Sequence, residues 1–360
     1  MNILILVSAL DFGGAQKQAV MDANMMASRH NIYLGMFKSG EFAKEVDSRV
    51  KTVTFEKPNY FTAARQIASF VKKEEIHVIH NHLYAPMIIS ALASLMKPVP
   101  VLWHFHGHHF EVRKWPLNLL SRLPTVKQQI FVCAALKNYF EKAFSYPKKK
   151  LRVVYNSAQC RKNEQAKKGH QPIVIGFVGR VVKLKRIDYL INLAAALREK
   201  GFRDFEIRIV GDGPAKATLE KKAHELQLNE HLIFTGFRSD LENLYNQMDL
   251  FILPSEEEAL SIALIDAQNC GLPSLAFDVG GNSEIIRNGE SGYIVDSETD
   301  LQQKALNLCR DKALRQRMGK KAIQHAKVFN EAHHQKELEK MYQQTVRNKT
   351  TSPSLTLEKG

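Results

Sequence analysis

Short apolar runs alternate along the chain with longer stretches in which apolar positions recur at helical spacing. The runs cover Met1 to Ala9, Ile76 to His80, Val99 to Trp103, Ile130 to Ala134, Leu151 to Tyr155, Ile173 to Val178, Phe205 to Val210, Leu232 to Thr235, Asp249 to Leu253 and Ser274 to Phe277. Near-continuous runs of this kind read as strands buried on both faces of a parallel sheet. Helical stretches follow several of them, at Ala19 to Met26, Pro86 to Met96, Leu136 to Phe144, Asp188 to Lys200 and Ala259 to Cys270, the last closed by Gly271 and Pro273. Repetition of strand, turn and helix predicts an α/β chain. After Ile294-Val295 the pattern is helical, with charged helices predicted over Asp300 to Val328 and Asn330 to Val346.

One stretch breaks this rhythm. Ala158 to Pro172 is polar, aperiodic and carries Gly and Pro, which reads as a linker. The 360 residues then divide into a domain of residues 1–157 and a domain of residues 173–329, each able to bury its own core, with residues 349–360 frayed. The chain is 44% hydrophobic and 24% charged, as a soluble globular protein is. Its four cysteines are scattered, without a Cys-x-x-Cys pair, which fits a reducing cytoplasm. Asn2 to Leu10 lacks the basic flank and cleavage site of a targeting signal, and Met87 to Met96 is too short to span a bilayer.

Of the formal charge of +14, +11 lies in residues 1–157, and it peaks between Arg113 and Arg152, where ten basic residues face one acidic residue, Glu141. A nucleic-acid binder has such a charge. The interleaving of bulky apolar residues with cations from Lys114 to Leu123 is closer to a segment resting on anionic lipid, and a solvated basic helix is the plain alternative.

The candidate chemistry lies at strand ends. In Pro254 to Glu284 a strand ends in Pro254-Ser255, three glutamates follow, and a helix begins near Ala259-Leu260-Ser261; a second strand leads to Gly280-Gly281 and another helix. Helix starts after small residues attract anions, phosphate above all. Glu258 and Asp266 stand eight apart, so Glu258 in the loop and Asp266 on the helix are read as holding two parts of one ligand, against the plainer reading of a solvated acidic turn. Asp11-Phe-Gly13-Gly14 is a second glycine turn after a strand, without a Gly-x-Gly-x-x-Gly fingerprint. Arg180 and Lys185, five apart in a loop after a strand, can converge on one anion as a fork and a point charge. His104, His106, His108 and His109 are four histidines in six residues, with His82 after the preceding strand. Zinc is set aside here, because the carboxylate or third-strand ligand that would complete such a site cannot be named from the sequence.

Pro254-Ser255, Glu258, Ala267, Cys270-Gly271, Pro273, Gly280-Gly281 and Glu284 resemble the nucleotide-sugar signature of the retaining glycosyltransferases of family 4. The departures are Ala259 and Ser261 in place of two glycines and Asp266 in place of the second glutamate. The resemblance covers roughly Ile3 to Tyr342. It implies the GT-B fold, two Rossmann-like doubly wound domains facing across a cleft, with the helix at about 330–346 returning to the first domain. It implies transfer of a hexose-type sugar, with retention, from a nucleotide-diphosphate sugar, UDP-sugar being the commonest donor, to a glycan or lipid-linked glycan of a cell-surface polysaccharide or lipopolysaccharide. Residue by residue, Arg180, Lys185, the Gly13-Gly14 loop and the helix start at Leu260 and Ser261 would meet the diphosphate. Glu258 would hold donor-sugar hydroxyls, Asp266 the ribose, the backbone at Gly236-Phe237 the nucleobase, and His106 would stand beside the transferred sugar. No cofactor beyond the donor is implied, and no Asp-x-Asp occurs to hold a metal. The expected setting is cytoplasmic, peripheral on the inner face of the plasma membrane, without nucleic acid. A nucleotide-sugar epimerase of the same fold and a basic nucleic-acid-binding protein are the alternatives.

Overall fold

The computed structural model describes residues 1–11, 13–107, 114–144, 146–158, 160–161, 163 and 172–347. The histidines at 108 and 109, most of the expected linker and the expected frayed tail lie outside these. The chain forms two compact units, one of Met1–Asn156 with a helix after residue 330, the other of Ser157–Asn330.

The first unit runs β1 (Asn2–Ala9), α1 (Gly14–Met26), β2 (Asn31–Lys38), β3 (Lys51–Thr54), α2 (Tyr60–Lys73), β4 (Val78–His82), α3 (Tyr84–Met96), β5 (Val101–Phe105), α4 (Lys114–Leu120), β6 (Val126–Phe131), α5 (Ala134–Ala143) and β7 (Leu151–Val153). Its seven strands lie in the order β3-β2-β1-β4-β5-β6-β7, all parallel. β1 is central, so Ile3 to Val7 are buried on both faces and the run carries no polar alternation.

The second unit runs β8 (Ile173–Val178), α6 (Asp188–Glu199), β9 (Phe205–Val210), α7 (Lys216–Glu225), β10 (Leu232–Gly236), α8 (Leu241–Asn246), β11 (Leu250–Leu253), α9 (Ile262–Asn269), β12 (Ser274–Phe277), α10 (Asn282–Ile285), β13 (Gly292–Val295), α11 (Glu298–Arg310) and α12 (Lys312–Ala326). Its parallel strands are ordered β10-β9-β8-β11-β12-β13. In both sheets the first three strands spread to one side and the rest to the other. Ligands of open α/β sheets bind beyond the carboxyl ends of the strands where that order reverses, here at β1/β4 and at β8/β11.

The chain then returns to the first unit as α13 (Glu331–Arg347), whose Leu338, Met341 and Tyr342 enter the same buried cluster as Ile3, Ile5 and Ala19. Two expectations are corrected. The helix predicted over Asp300 to Val328 is two helices, because Asp311 is extended (φ −106, ψ 95) and its carboxylate caps α12 by accepting the Leu314 N–H at 2.8 Å. The helix predicted from Ala259 begins at Ile262, after a loop whose last residue, Ser261, caps it.

Candidate active site

β8 and β11 are hydrogen-bonded neighbours at the reversal of the second sheet, so the loops leaving their carboxyl ends meet. After β8 the chain passes Gly179 and Arg180, makes a single 3-10 turn over Lys183–Lys185, and reverses at Arg186 in the left-handed region (φ 47, ψ 42). That reversal sets Lys185 under the loop that follows β11. The Glu256 N–H donates to Leu184 O at 2.9 Å, tying the two loops by main chain. Lys185 Nζ donates to Glu258 Oε1 at 2.5 Å, and Ser255 Oγ donates to the same oxygen at 2.8 Å. The two side chains are only 20% and 11% exposed, so the pair is screened less than a surface ion pair. Two donors on one oxygen fix the carboxylate and leave Oε2 without a hydrogen bond among the described residues. Arg186 stacks on the Tyr189 ring at 4.2 Å with a guanidinium nitrogen 3.8 Å from Glu256, bracing the same turn.

A third loop, after β12, supports the Glu258 backbone. Gly280 has φ +55, and a β-carbon there would overlap the carbonyl oxygens of Glu258 and Ala259, so this approach requires glycine. The Gly281 N–H donates to Ala259 O at 2.7 Å. The Gly-Gly turn therefore shapes the carboxylate loop rather than opening an anion-binding helix, since α10 has only four residues.

Other expected residues fall as follows. Arg180 is exposed, and its side chain has no partner among the described residues. Phe237 is 60% exposed just past the carboxyl end of β10. Leu260 and Ser261 are buried, and Ser261 Oγ is engaged as the cap of α9, accepting the Leu264 N–H at 3.3 Å. Asp266 departs from expectation. It is buried on the second turn of α9, where Oδ1 accepts the Cys160 N–H at 3.0 Å. The expected pairing of Glu258 and Asp266 on one ligand thus gives way to two engagements, Glu258 with Lys185 and Asp266 with the chain's own backbone. Ser255 was visible in the sequence only as part of Pro-Ser, with nothing to show that its hydroxyl anchors Glu258.

In the first unit Gly13 caps α1 and Gly14 is exposed at its start. His106 stands just past β5 with Nε2 2.8 Å from His82 Nδ1. Burial pushes its imidazole down to about 3, so the ring is neutral at physiological pH and is not an imidazolium acid. Among the described residues no helix is long and apolar enough to cross a membrane. Within the basic segment, Lys150 turns inward, its ammonium donating to Ser121 O and Leu123 O at 2.9 and 3.0 Å.

Comparison with known proteins gives this geometry a family. N-acetyl-alpha-D-glucosaminyl L-malate synthase of Bacillus anthracis is 27% identical over 288 residues, 74% of each chain. The UDP-Gal:alpha-D-GlcNAc-diphosphoundecaprenol alpha-1,3-galactosyltransferase of Escherichia coli is 26% identical over 251 residues, 63% of this chain and 64% of that one. Among solved structures, Anabaena Alr3699/HepE in complex with UDP superposes with a TM-score of 0.83 at 19% identity, covering 96% of this chain and 100% of that one, which shares the GT-B fold. The profile described as Glycosyl transferases group 1 matches residues 160–325, and the one described as Glycosyltransferase Family 4 matches residues 12–160. With one profile on each half and the fold in common, the chain belongs to the group 1 glycosyltransferases of family 4.

Proposed function

We propose that this glycosyltransferase moves a hexose from a UDP-sugar to a hydroxyl of a glycan or lipid-linked glycan, with retention at the anomeric carbon and without a divalent metal on the donor. The observation that carries the reading is the Lys185–Glu258 pair, held by Ser255 at the β8/β11 reversal. Breaking a sugar–phosphate bond leaves a charged diphosphate and an electron-poor anomeric carbon. Charge on the departing diphosphate is stabilised by cations fixed in advance. Lys185 has three N–H donors and gives one to Glu258, so the others remain for phosphate oxygens. Arg180, exposed and without a side-chain partner among the described residues, adds a fork from the same loop, and the N-terminus of α9 adds its dipole. Glu258 Oε2 accepts from a donor-sugar hydroxyl, and the exposed Phe237 ring offers a face to the base. The acceptor O–H forms the new glycosidic bond and its proton leaves with the diphosphate.

UDP is supported by the structural likeness to a protein solved with UDP, and a lipid-linked acceptor by the name of the E. coli relative. The basic first unit suits an anionic acceptor or lipid surface. The test is Lys185→Ala with a UDP-hexose donor. It is expected to lower kcat/KM by about 10²- to 10³-fold, as loss of one positioned donor does, with the fold retained by circular dichroism although Tm falls as Glu258 loses its counter-charge. Omitting Mg²⁺ and Mn²⁺ is expected to leave the rate as it was. Full turnover in the variant, or a rate restored only by added Mn²⁺, would remove the assignment of Lys185 to the leaving group.

A further inference from the structure

β4 and β5 pair in parallel register with His82 opposite His104. Side chains two apart on a strand share a face, so His80, His82 and His104 stand together, and across from them lies Asp22 of α1. All four are fully buried, and each offers one ligand atom, with these atoms within 4.8 Å of one another. His82 Nε2 is 3.6 Å from Asp22 Oδ2, and His80 Nε2 is 3.2 Å from His104 Nδ1. A tetrahedral ion with bonds of about 2.05 Å spaces its ligand atoms about 3.3 Å apart, so both separations approach tetrahedral edges.

Hydrogen bonding inside the cluster is incomplete. Among the described residues Asp22 Oδ2 and His82 Nε2 are buried without a hydrogen-bond partner, which a fold tolerates where an ion supplies the missing contact. The opposite atoms, by contrast, are held. Asp22 Oδ1 accepts from Gln18 Nε2 at 2.6 Å and from His334 Nε2 at 2.7 Å. His82 Nδ1 faces His106 Nε2 at 2.8 Å, and His80 Nδ1 faces the Tyr342 hydroxyl at 2.8 Å. Metal-bound imidazoles are oriented in this way, by a hydrogen bond from the second ring nitrogen.

We propose that Asp22, His80, His82 and His104 bind one divalent transition-metal ion, with zinc the best match to three imidazoles and a carboxylate. Four protein ligands close the tetrahedron, so the ion is structural and cross-links α1, β4 and β5. With His82 Nε2 on the ion, its proton stays on Nδ1 and is donated to His106 Nε2. The ion thereby sets the His106 tautomer, and His106 is a positioning partner of the site. The sequence alone names neither a carboxylate nor a third-strand ligand for such a site; α1 supplies the carboxylate at Asp22, which has no sequence signal of its own.

The full chain, without a polyhistidine tag, is stripped with a chelator under native conditions and titrated with Zn²⁺ and separately with Co²⁺. One Zn²⁺ per chain is expected to survive gel filtration and raise Tm, and Co²⁺ to give the intense visible bands of four-coordination. X-ray absorption of the zinc form is expected to show an N/O shell with three imidazoles. The double variant Asp22→Asn, His82→Gln is expected to lose stoichiometric binding. A folded wild-type chain that retains no ion overturns the proposal, as does a folded double variant that still holds one equivalent. If the variant fails to fold, the absorption spectrum of the wild type decides, and a shell with sulfur or fewer than three imidazoles rejects the site.

Discussion

At the scale of single residues, the molecule separates groups that the sequence presents as equivalent. Glu258 and Asp266 are both carboxylates of one motif, yet one is pinned by an ammonium and a hydroxyl and the other by a backbone amide. Asp266→Ala removes this buried hydrogen bond and is expected to cost about 1–3 kcal/mol, visible as a lower Tm with donor KM little changed. A large rise in donor KM at unchanged Tm would instead return Asp266 to the ribose. Lys150 is separated in the same way from its neighbours Lys148 and Lys149. Burial, with Lys127 and Lys149 nearby, lowers its ammonium to about 8. The unfolded chain keeps that proton to about 10.4, so the group penalises the folded form fully below about pH 8, and the penalty fades as pH rises toward about 10.4. Amine-specific labelling of Lys150, followed by peptide mass spectrometry, is expected to reach half its limit near pH 8; a midpoint in the ordinary lysine range would refute the inward placement. Motif residues were legible because each has a fixed neighbour in sequence. Asp22 and His334 were not, since their roles come from partners on other elements, 312 positions apart for this pair, and Ser255 was not because its hydroxyl bond to Glu258 depends on how the loop folds.

Many elements buried on both faces were legible, although β2, buried from Ile32 to Met36, was not read as a strand. Ile173–Val178, Phe205–Val210 and Ser274–Phe277 are strands over the very residues read from the apolar runs. β3 was not, since Lys51–Thr54 is mostly exposed and carries no apolar signal. Helix boundaries failed where a side chain rather than a hydrophobic pattern sets them, as at Ser261 and Asp311. The helix with the widest influence is α13. Leu338 and Tyr342 are fully buried in the first unit, and loss of each large buried side chain costs about 2–5 kcal/mol against a typical domain stability of about 5–15 kcal/mol. A chain ending at Asn330 is therefore expected to lose the cooperative unfolding of the first unit while the second stays folded. Limited proteolysis would read this as a resistant fragment starting near Ser157, and a truncated chain with both units protected would contradict it.

For the whole molecule, two separate cores imply two ligand responses. The Lys185–Glu258 site lies wholly in Ser157–Asn330 and the histidine cluster wholly in the other unit. A UDP-sugar at about 100 times its Kd is expected to stabilise the unit that binds it by about 2.7 kcal/mol. Calorimetry should show that one transition moves while the other holds. Both transitions rising together with UDP alone would mean that the donor also touches the first unit. The α/β class was visible as an alternation of runs, but the order of strands was not, because neighbours in a sheet are chosen by packing and leave no mark in local sequence.

The return of α13 has a consequence for synthesis. A ribosome delivers β1 to β7 first, then all of Ser157–Asn330, and only then the helix that seals the first sheet. At about 5–20 residues per second the intervening segment takes on the order of tens of seconds. For that interval the nascent amino-terminal half carries an uncovered greasy flank, while the inserted half can already close on itself. Birth order and maturation order are thus reversed, and the earliest-made residues are those most in need of a chaperone's cover.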